Sequence, residues 1–216
     1  MRPKTFSPLT GLPSCRIAQL PDYLGPGLDI IFVGINPGLQ SARAGHYYAN
    51  PRNPFWRLLH EAGLTPRQLR PDEDHLLPTL GYGITDIVKR PSRGVADLTA
   101  ADFRRGRRIL EEKLLAHRPR IVCFNSKTGF VSFFGPGSFR RFGRQDVSIG
   151  VSRVFVMPST SPANAGTPIG VKLRYFRALR RWRDTLVSHD AARTHPGGTR
   201  IGNQGRGTRF SPTSDP

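Results

Sequence analysis

Short β-branched and aromatic runs, each closed by Gly, Pro, Asn or Ser, alternate along this chain with stretches in which apolar residues recur every three or four positions. The run 29-DIIFVG-34 is bounded by turn residues and predicts a buried strand, as do Arg120–Asn125 and Val154–Met157. Tyr82–Val88 reads as a short extended or loop segment. Helical spacing falls at Pro54–Ala62, where Phe55, Leu58, Leu59 and Ala62 share a face. It recurs after Thr99, a suitable N-cap, with Phe103, Leu110 and Leu114 on one stripe that ends before Pro119. Further helices are predicted near Ser126–Phe134 and over Val171–Val187, the latter with Leu173, Phe176, Leu179 and Leu186 inward. Strand–helix alternation of this kind predicts an α/β layered fold around a mainly parallel sheet. Ligands of such sheets lie beyond the carboxyl ends of the strands, where the polar turns INPG and PSTSPANAG fall.

The flanks differ from this body. Residues 1–20 read as an irregular arm, and the Gly-, Arg- and Ser-rich run 189–216 as a disordered basic tail, leaving a folded unit over 21–188. The whole chain carries 33 Lys+Arg against 15 Asp+Glu, a net charge of +18. The tail's four Arg and two Asp account for +2 of this, so +16 belongs to the rest. So large an excess points to a polyanionic partner, with a salt-adapted or high-GC composition as the bland alternative. Cys15 and Cys123 are too few for a disulfide framework or a four-cysteine metal site. Cys123, inside IVCF, reads as a core thiol. No stretch approaches the apolar length of a membrane span, and MRPKTFSPLT lacks an apolar signal region. A soluble protein of a reducing compartment is expected.

Four segments carry candidate chemistry. GINPG ends its strand with Asn36 but lacks the Gly-Lys-Ser/Thr of a phosphate loop and the glycine spacing of a dinucleotide fold. Asn36 either holds a water at the sheet edge without ionising or simply closes the turn. In 45-GHYYANPRNPFW-56, one tyrosine of the pair suits a wall on which a planar ring stacks, while Phe55 and Trp56 read as core. In 81-GYGITDIVKRPSR-93, Asp86 sits among apolar neighbours. Desolvation would raise its proton affinity, although a cap or ion-pair role is equally open. The loop 157-MPSTSPANAG-166 gathers hydroxyls and small residues suited to phosphates and a groove, or is an ordinary polar loop. The basic run 104-RRGRR-108 reads as a solvated helix face or as a DNA-backbone contact. No G-x-S-x-G elbow and no H-E-x-x-H spacing is present.

Taken in order, GINPG, GHYY, N-x-FW, GITDIVKR, RIVCFNSK and MPSTS resemble the mismatch-specific uracil/thymine-DNA glycosylases of the uracil-DNA glycosylase superfamily. The resemblance runs from Leu20 to the helix near Val187, and GHYY is similar to the thymine-DNA glycosylase branch. It implies a three-layer α/β/α fold with a four-stranded, mostly parallel central sheet. It also implies a monofunctional glycosylase without metal or cofactor that flips uracil from DNA, prefers G·U pairs and starts base-excision repair. Thymine and related damaged pyrimidines are left open as further substrates.

On this resemblance Asn36 positions the attacking water, Tyr48 stacks on the flipped base, and main-chain groups near Ile35, Gly38 and Tyr48 contact the pyrimidine. Ser161 falls on the second-motif serine. Ser159, Ala163, Asn164, Lys89 and Lys127 are expected at the DNA. Two positions depart from the family pattern. The wedge is Ala163 rather than a long side chain, and Asp86 stands where relatives carry Lys or Asn, which makes it a candidate catalytic base beside Asn36. Double-stranded DNA, with single strands as a further substrate, is the expected partner of a monomeric bacterial nucleoid enzyme in the cytoplasm, with no membrane involved. The competing expectation is a DNA-damage or mismatch binding protein that keeps the pocket with little turnover.

Overall fold

In the computed structural model, which describes residues 19–194, the first apolar run becomes β1, Ile30–Gly34, at the interior of a five-stranded sheet. The others are β2, Tyr82–Asp86; β3, Ile121–Phe124; β4, Gly143–Ile149; and β5, Ser152–Val156, in spatial order β2-β1-β3-β5-β4. β1, β2, β3 and β5 are parallel, and β4 runs antiparallel along the edge beside β5.

Strand alternation separates two cores. Ile30 and Phe32 face one side with Ile84, Cys123 and Phe155, while Ile31 and Val33 face the other with Val122, Phe124 and Val154. The first side is covered by α2, Phe55–Glu61, and α5, Ile169–Thr194, through Phe55, Leu58, Phe176 and Leu179. The second is covered by α3, Ala100–His117, and α4, Lys127–Phe134, through Leu110, Leu114, Phe130 and Phe133. The architecture is therefore three-layer α/β/α. Thr99 caps α3 as its sequence suggests, accepting from the Asp102 N–H at 3.2 Å while Asp102 accepts from the Thr99 N–H at 2.8 Å.

Two features differ from the sequence expectation, and a third settles an alternative it left open. The sheet has five strands rather than four, because β4 is an exposed edge strand whose side chains are mostly solvated and show no apolar alternation to read. Tyr82–Val88 contains a true strand, β2, buried at every position. The last helix extends to Thr194, past the expected boundary at residue 188. Residues 1–18 and 195–216, most of the expected arm and tail, lie outside the described residues. No described helix is long and apolar enough to cross a membrane.

Parallel register aligns the carboxyl ends that matter for chemistry. Gly34 pairs with Asp86, Val33 with Phe124, and Phe124 with Val156, so the chain leaves β1, β2, β3 and β5 side by side. The turn after β1 leads into the short helix α1, Leu39–Ala44, and the loop after β5 into a 3₁₀ turn at Pro162–Asn164.

Candidate active site at the carboxyl edge of the sheet

A cavity of about 520 Å³ opens at this edge, and its wall includes Asn36, Tyr48, Asp86, Asn125, Ser161 and Ala163. They come from the turn after β1, the loop before α2, the ends of β2 and β3, and the loop after β5, segments the parallel sheet brings to one edge.

Asn36 sits in the Pro-Gly turn after β1 and is half-buried. Its Nδ2 donates to Ser92 Oγ at 2.8 Å, to the Pro37 carbonyl at 3.1 Å and to the Arg90 carbonyl at 3.3 Å. Carbonyl oxygens only accept, so the nitrogen of the carboxamide must face them. Ser92 is itself fixed, donating to the Gly94 carbonyl at 2.7 Å, with its N–H on the Pro37 carbonyl at 3.1 Å. The orientation leaves Oδ1 without a donor among the described residues, on a side chain that lines the cavity. Such an oxygen can accept a hydrogen bond from water.

Asp86, the last residue of β2, is buried. Its carboxylate lies over Gly34: a Cβ at that glycine would stand 2.1 Å from Asp86 Oδ1 and would displace the carboxylate. Oδ2 is buried with no hydrogen-bond partner. Desolvation pushes the carboxyl up to about 7, against the lowering field of the Lys89 ammonium and with a smaller upward push from Asp22. An acid in this state can hold or release a proton near neutrality.

The GHYY loop is organised from below by a buried carboxylate. Asp74 Oδ2 accepts from the Tyr47 N–H at 2.9 Å, and its Oδ1 lies 3.2 Å from His46 Nδ1. Trp56 Nε1 donates to the Tyr47 carbonyl at 3.1 Å. Tyr47 is core, whereas Tyr48 is half-buried and adopts a left-handed φ of 51°. A non-glycine residue there is strained by roughly 1–3 kcal/mol and persists only where its surroundings hold it. The hold is visible. The Tyr48 ring stacks on Phe55 with centroids 4.0 Å apart, and its hydroxyl accepts from Asn125 Nδ2 at 2.9 Å. Among the described residues no acceptor takes the Tyr48 N–H.

Asn125 was not singled out as a site residue by sequence reasoning, though it ends the FN pair at the close of β3. It is buried, and Nδ2 also donates to Thr160 Oγ1 at 2.9 Å while Oδ1 accepts from the Thr160 N–H at 3.3 Å. It thereby ties the tyrosine wall to the loop after β5. Ser92, the anchor of Asn36, carried no sequence signal beyond its polarity.

The remaining expected residues fall in two groups. Ile35, Gly38, Ser159, Ser161 and Ala163 line the cavity. Ser161 Oγ accepts from the Ala163 N–H at 3.3 Å and caps the 3₁₀ turn, which leaves Ala163 exposed at the rim. Asn164 is occupied within that loop, Nδ2 donating to the Ser159 carbonyl at 2.9 Å. Lys127 is exposed at the start of α4, its Nζ 5.2 Å from the Phe139 ring centroid. Lys89 lies away from the rim, donating to Asp22 Oδ1 at 2.7 Å and to Tyr47 Oη at 2.9 Å.

The fold and this edge define an α/β/α domain with a polar-lined cavity at the carboxyl ends of its parallel strands. The model of the uracil DNA glycosylase superfamily matches residues 21–181. A solution NMR structure from Methanosarcina acetivorans, provisionally described as a uracil DNA glycosylase, is 22% identical with a TM-score of 0.46, covering 75% of this chain and 97% of that one. The chain belongs to the uracil DNA glycosylase superfamily. DNA is accordingly its polymer, and glycosidic hydrolysis its class of chemistry.

Proposed function

We propose that the protein is a monofunctional, mismatch-directed uracil-DNA glycosylase in which Asn36 and Asp86 share the activation of water. Breaking the bond between base and deoxyribose builds positive charge on the sugar and negative charge on the departing pyrimidine. The enzyme's tasks are to orient a water and to receive that anion with fixed donors. The observation that carries the reading is the Asn36 carboxamide. Three acceptors hold its nitrogen and leave its oxygen at the cavity wall, which suits an oxygen that steers a water toward an anomeric carbon. The desolvated carboxyl of Asp86 on the same wall supplies a base whose proton affinity matches neutral pH. General-base help of this kind typically contributes about 10²–10⁴-fold.

In this reading Tyr48 presents the cavity's stacking wall, and its free N–H, with the main chain at Ile35 and Gly38, receives the pyrimidine edge. Ser161 borders the same pocket. Ser159, Ala163, Asn164 and Lys127 meet the DNA, and Lys89 serves from within. Ala163 offers only a methyl group where a wedge is needed, so extrusion depends on the weakness of the base pair. Flipping costs a few kcal/mol and least at a mismatch. Excision of uracil from G·U should therefore outpace that from A·U, and uracil should be released readily from single strands.

Single-turnover rates on a uracil-containing duplex, read as alkali-labile abasic sites, test the assignment. Asn36→Ala is expected to slow the reaction by two or more orders of magnitude, in line with the loss of a positioned group (roughly 10²-fold and above). Asp86→Asn should slow it further in the Asn36→Ala background. A wild-type rate for Asp86→Asn would make that carboxylate structural, and no abasic product from the wild type would leave a damage-binding protein instead.

A further inference from the structure

Asp86 faces two cavities. Besides the active-site cavity it borders a second, about 330 Å³, between the end of β2 and α3, whose wall includes Lys89, Arg90, Arg105 and Lys113. The polar groups behind the carboxylate form one connected network. Asp22 Oδ1 accepts from Thr85 Oγ1 at 2.5 Å and from Lys89 Nζ at 2.7 Å, and Asp22 Oδ2 accepts from Lys113 Nζ at 2.5 Å. Lys89 Nζ is shared with Tyr47 Oη and lies 5.5 Å from that ring's centroid. Thr85 precedes Asp86 in the chain, and Asp86, Lys89 and Lys113 border the same second cavity. No hydrogen bond of the network is spent on Asp86 itself, whose Oδ2 has no partner.

We propose that Lys89, clamped by Asp22 and Tyr47, is a positioning residue that sets the charge of the Asp86 carboxylate from behind the active-site wall. The inference rests on the part given to Asp86 in the proposed function. A lysine bonded directly to Asp86 would quench it as a base, whereas one held to Asp22 and Tyr47 acts only through its field. The charged and titratable groups acting on Asp86 are Lys89, which lowers its proton affinity, and Asp22, which raises it. The two tyrosines beside it, Tyr47 and Tyr48, are both pushed upward by burial and then by its charge, so both stay neutral. Lys113 acts at one remove by neutralising Asp22. Removing Lys89 and removing Asp22 must therefore move Asp86 in opposite directions, which a loss of packing would not do.

The test is the pH dependence of single-turnover excision from a uracil-containing duplex between pH 5 and 9. The wild type should lose rate on the acid side, with a midpoint near the titration of Asp86. Lys89→Met should move that midpoint up by on the order of one pH unit, the size of shift expected from one nearby charge. Asp22→Asn, with Lys89 still held by Tyr47, should move it down, and Lys89→Arg should leave it close to wild type. If Asp86→Asn keeps the acid limb, Asp86 is not the base and the mechanistic reading fails first. If Asp86→Asn abolishes the limb but the Lys89 and Asp22 variants keep the wild-type midpoint, or shift together, the positioning role alone is overturned. Should a variant turn over too slowly, the Asp86 carboxyl carbon can be titrated by NMR in the same proteins, and the same opposite shifts are required.

Discussion

At Asp86 burial and charge work against one another. The carboxyl is shut away at the end of β2 with one oxygen unpartnered, and its proton affinity is raised to about 7 from an ordinary value of 3.8. In the folded chain the protonated form is therefore favoured. The penalty for ionising it is absent below about pH 4, grows as pH climbs toward 7, and is complete above that. Asp86→Asn lacks this penalty. Its stability relative to wild type should rise between pH 5 and pH 8 by about 2–3 kcal/mol, the part of the shift from 3.8 to about 7 that lies above pH 5. Denaturant unfolding of both proteins at the two pH values reads the difference, and a constant offset would mean that the carboxylate is solvated. Read from its neighbours in the chain, Asp86 had three possible roles: a desolvated acid, a cap or an ion-pair partner. Which one holds could not be read from its neighbours, because its partners, Gly34 beneath and Lys89 and Asp22 behind, are set by strand pairing and by a segment more than sixty residues away.

Among the elements, the contact of α3 with the exit of β2 matters most for the site. Within the basic run RRGRR, Gly106 faces the sheet: a Cβ there would lie 2.2 Å from the Ile87 carbonyl oxygen and 3.0 Å from its carbon. Backbone cannot yield as a side chain does. Gly106→Ala should push α3 away from the strand end that carries Asp86 and cost about 1–3 kcal/mol, the usual range for overpacking. Thermal unfolding would show this, while a neutral result would mean that helix and strand can part without loss. The run was legible as a helix face, but not the glycine's purpose. Apolar periodicity reports which side of a helix is buried, not how closely two backbones approach. The same limit explains β4. Its side chains are largely solvated, so it joins the sheet through main-chain bonds that leave no hydrophobic signature.

For the whole molecule, the charge excess of +18 makes association with DNA a matter of counterion release. The logarithm of the binding constant should fall linearly with the logarithm of salt concentration. Lys127→Ala, next to the cavity-lining Ser126, should make the slope shallower by about one. Arg57, already paired with Glu61 at 2.7 Å, should be dispensable to it. Equal slopes for wild type and Lys127→Ala, measured by fluorescence anisotropy on a G·U duplex, would remove Lys127 from the interface.

The sequence alone determined the layered α/β class, the strand ends where chemistry gathers and the identity of Asn36 as the residue to test. Those properties follow from local periodicity, turn residues and short motifs, which are written in consecutive positions. Tertiary structure alone decided which way the Asn36 amide points, which groups hold Tyr48 in its left-handed conformation, and that Lys89 serves an internal network. Each of those depends on groups distant in the chain, Ser92 for the amide, Asn125 for the tyrosine, Asp22 for the lysine, and only the folded structure brings them within hydrogen-bonding distance.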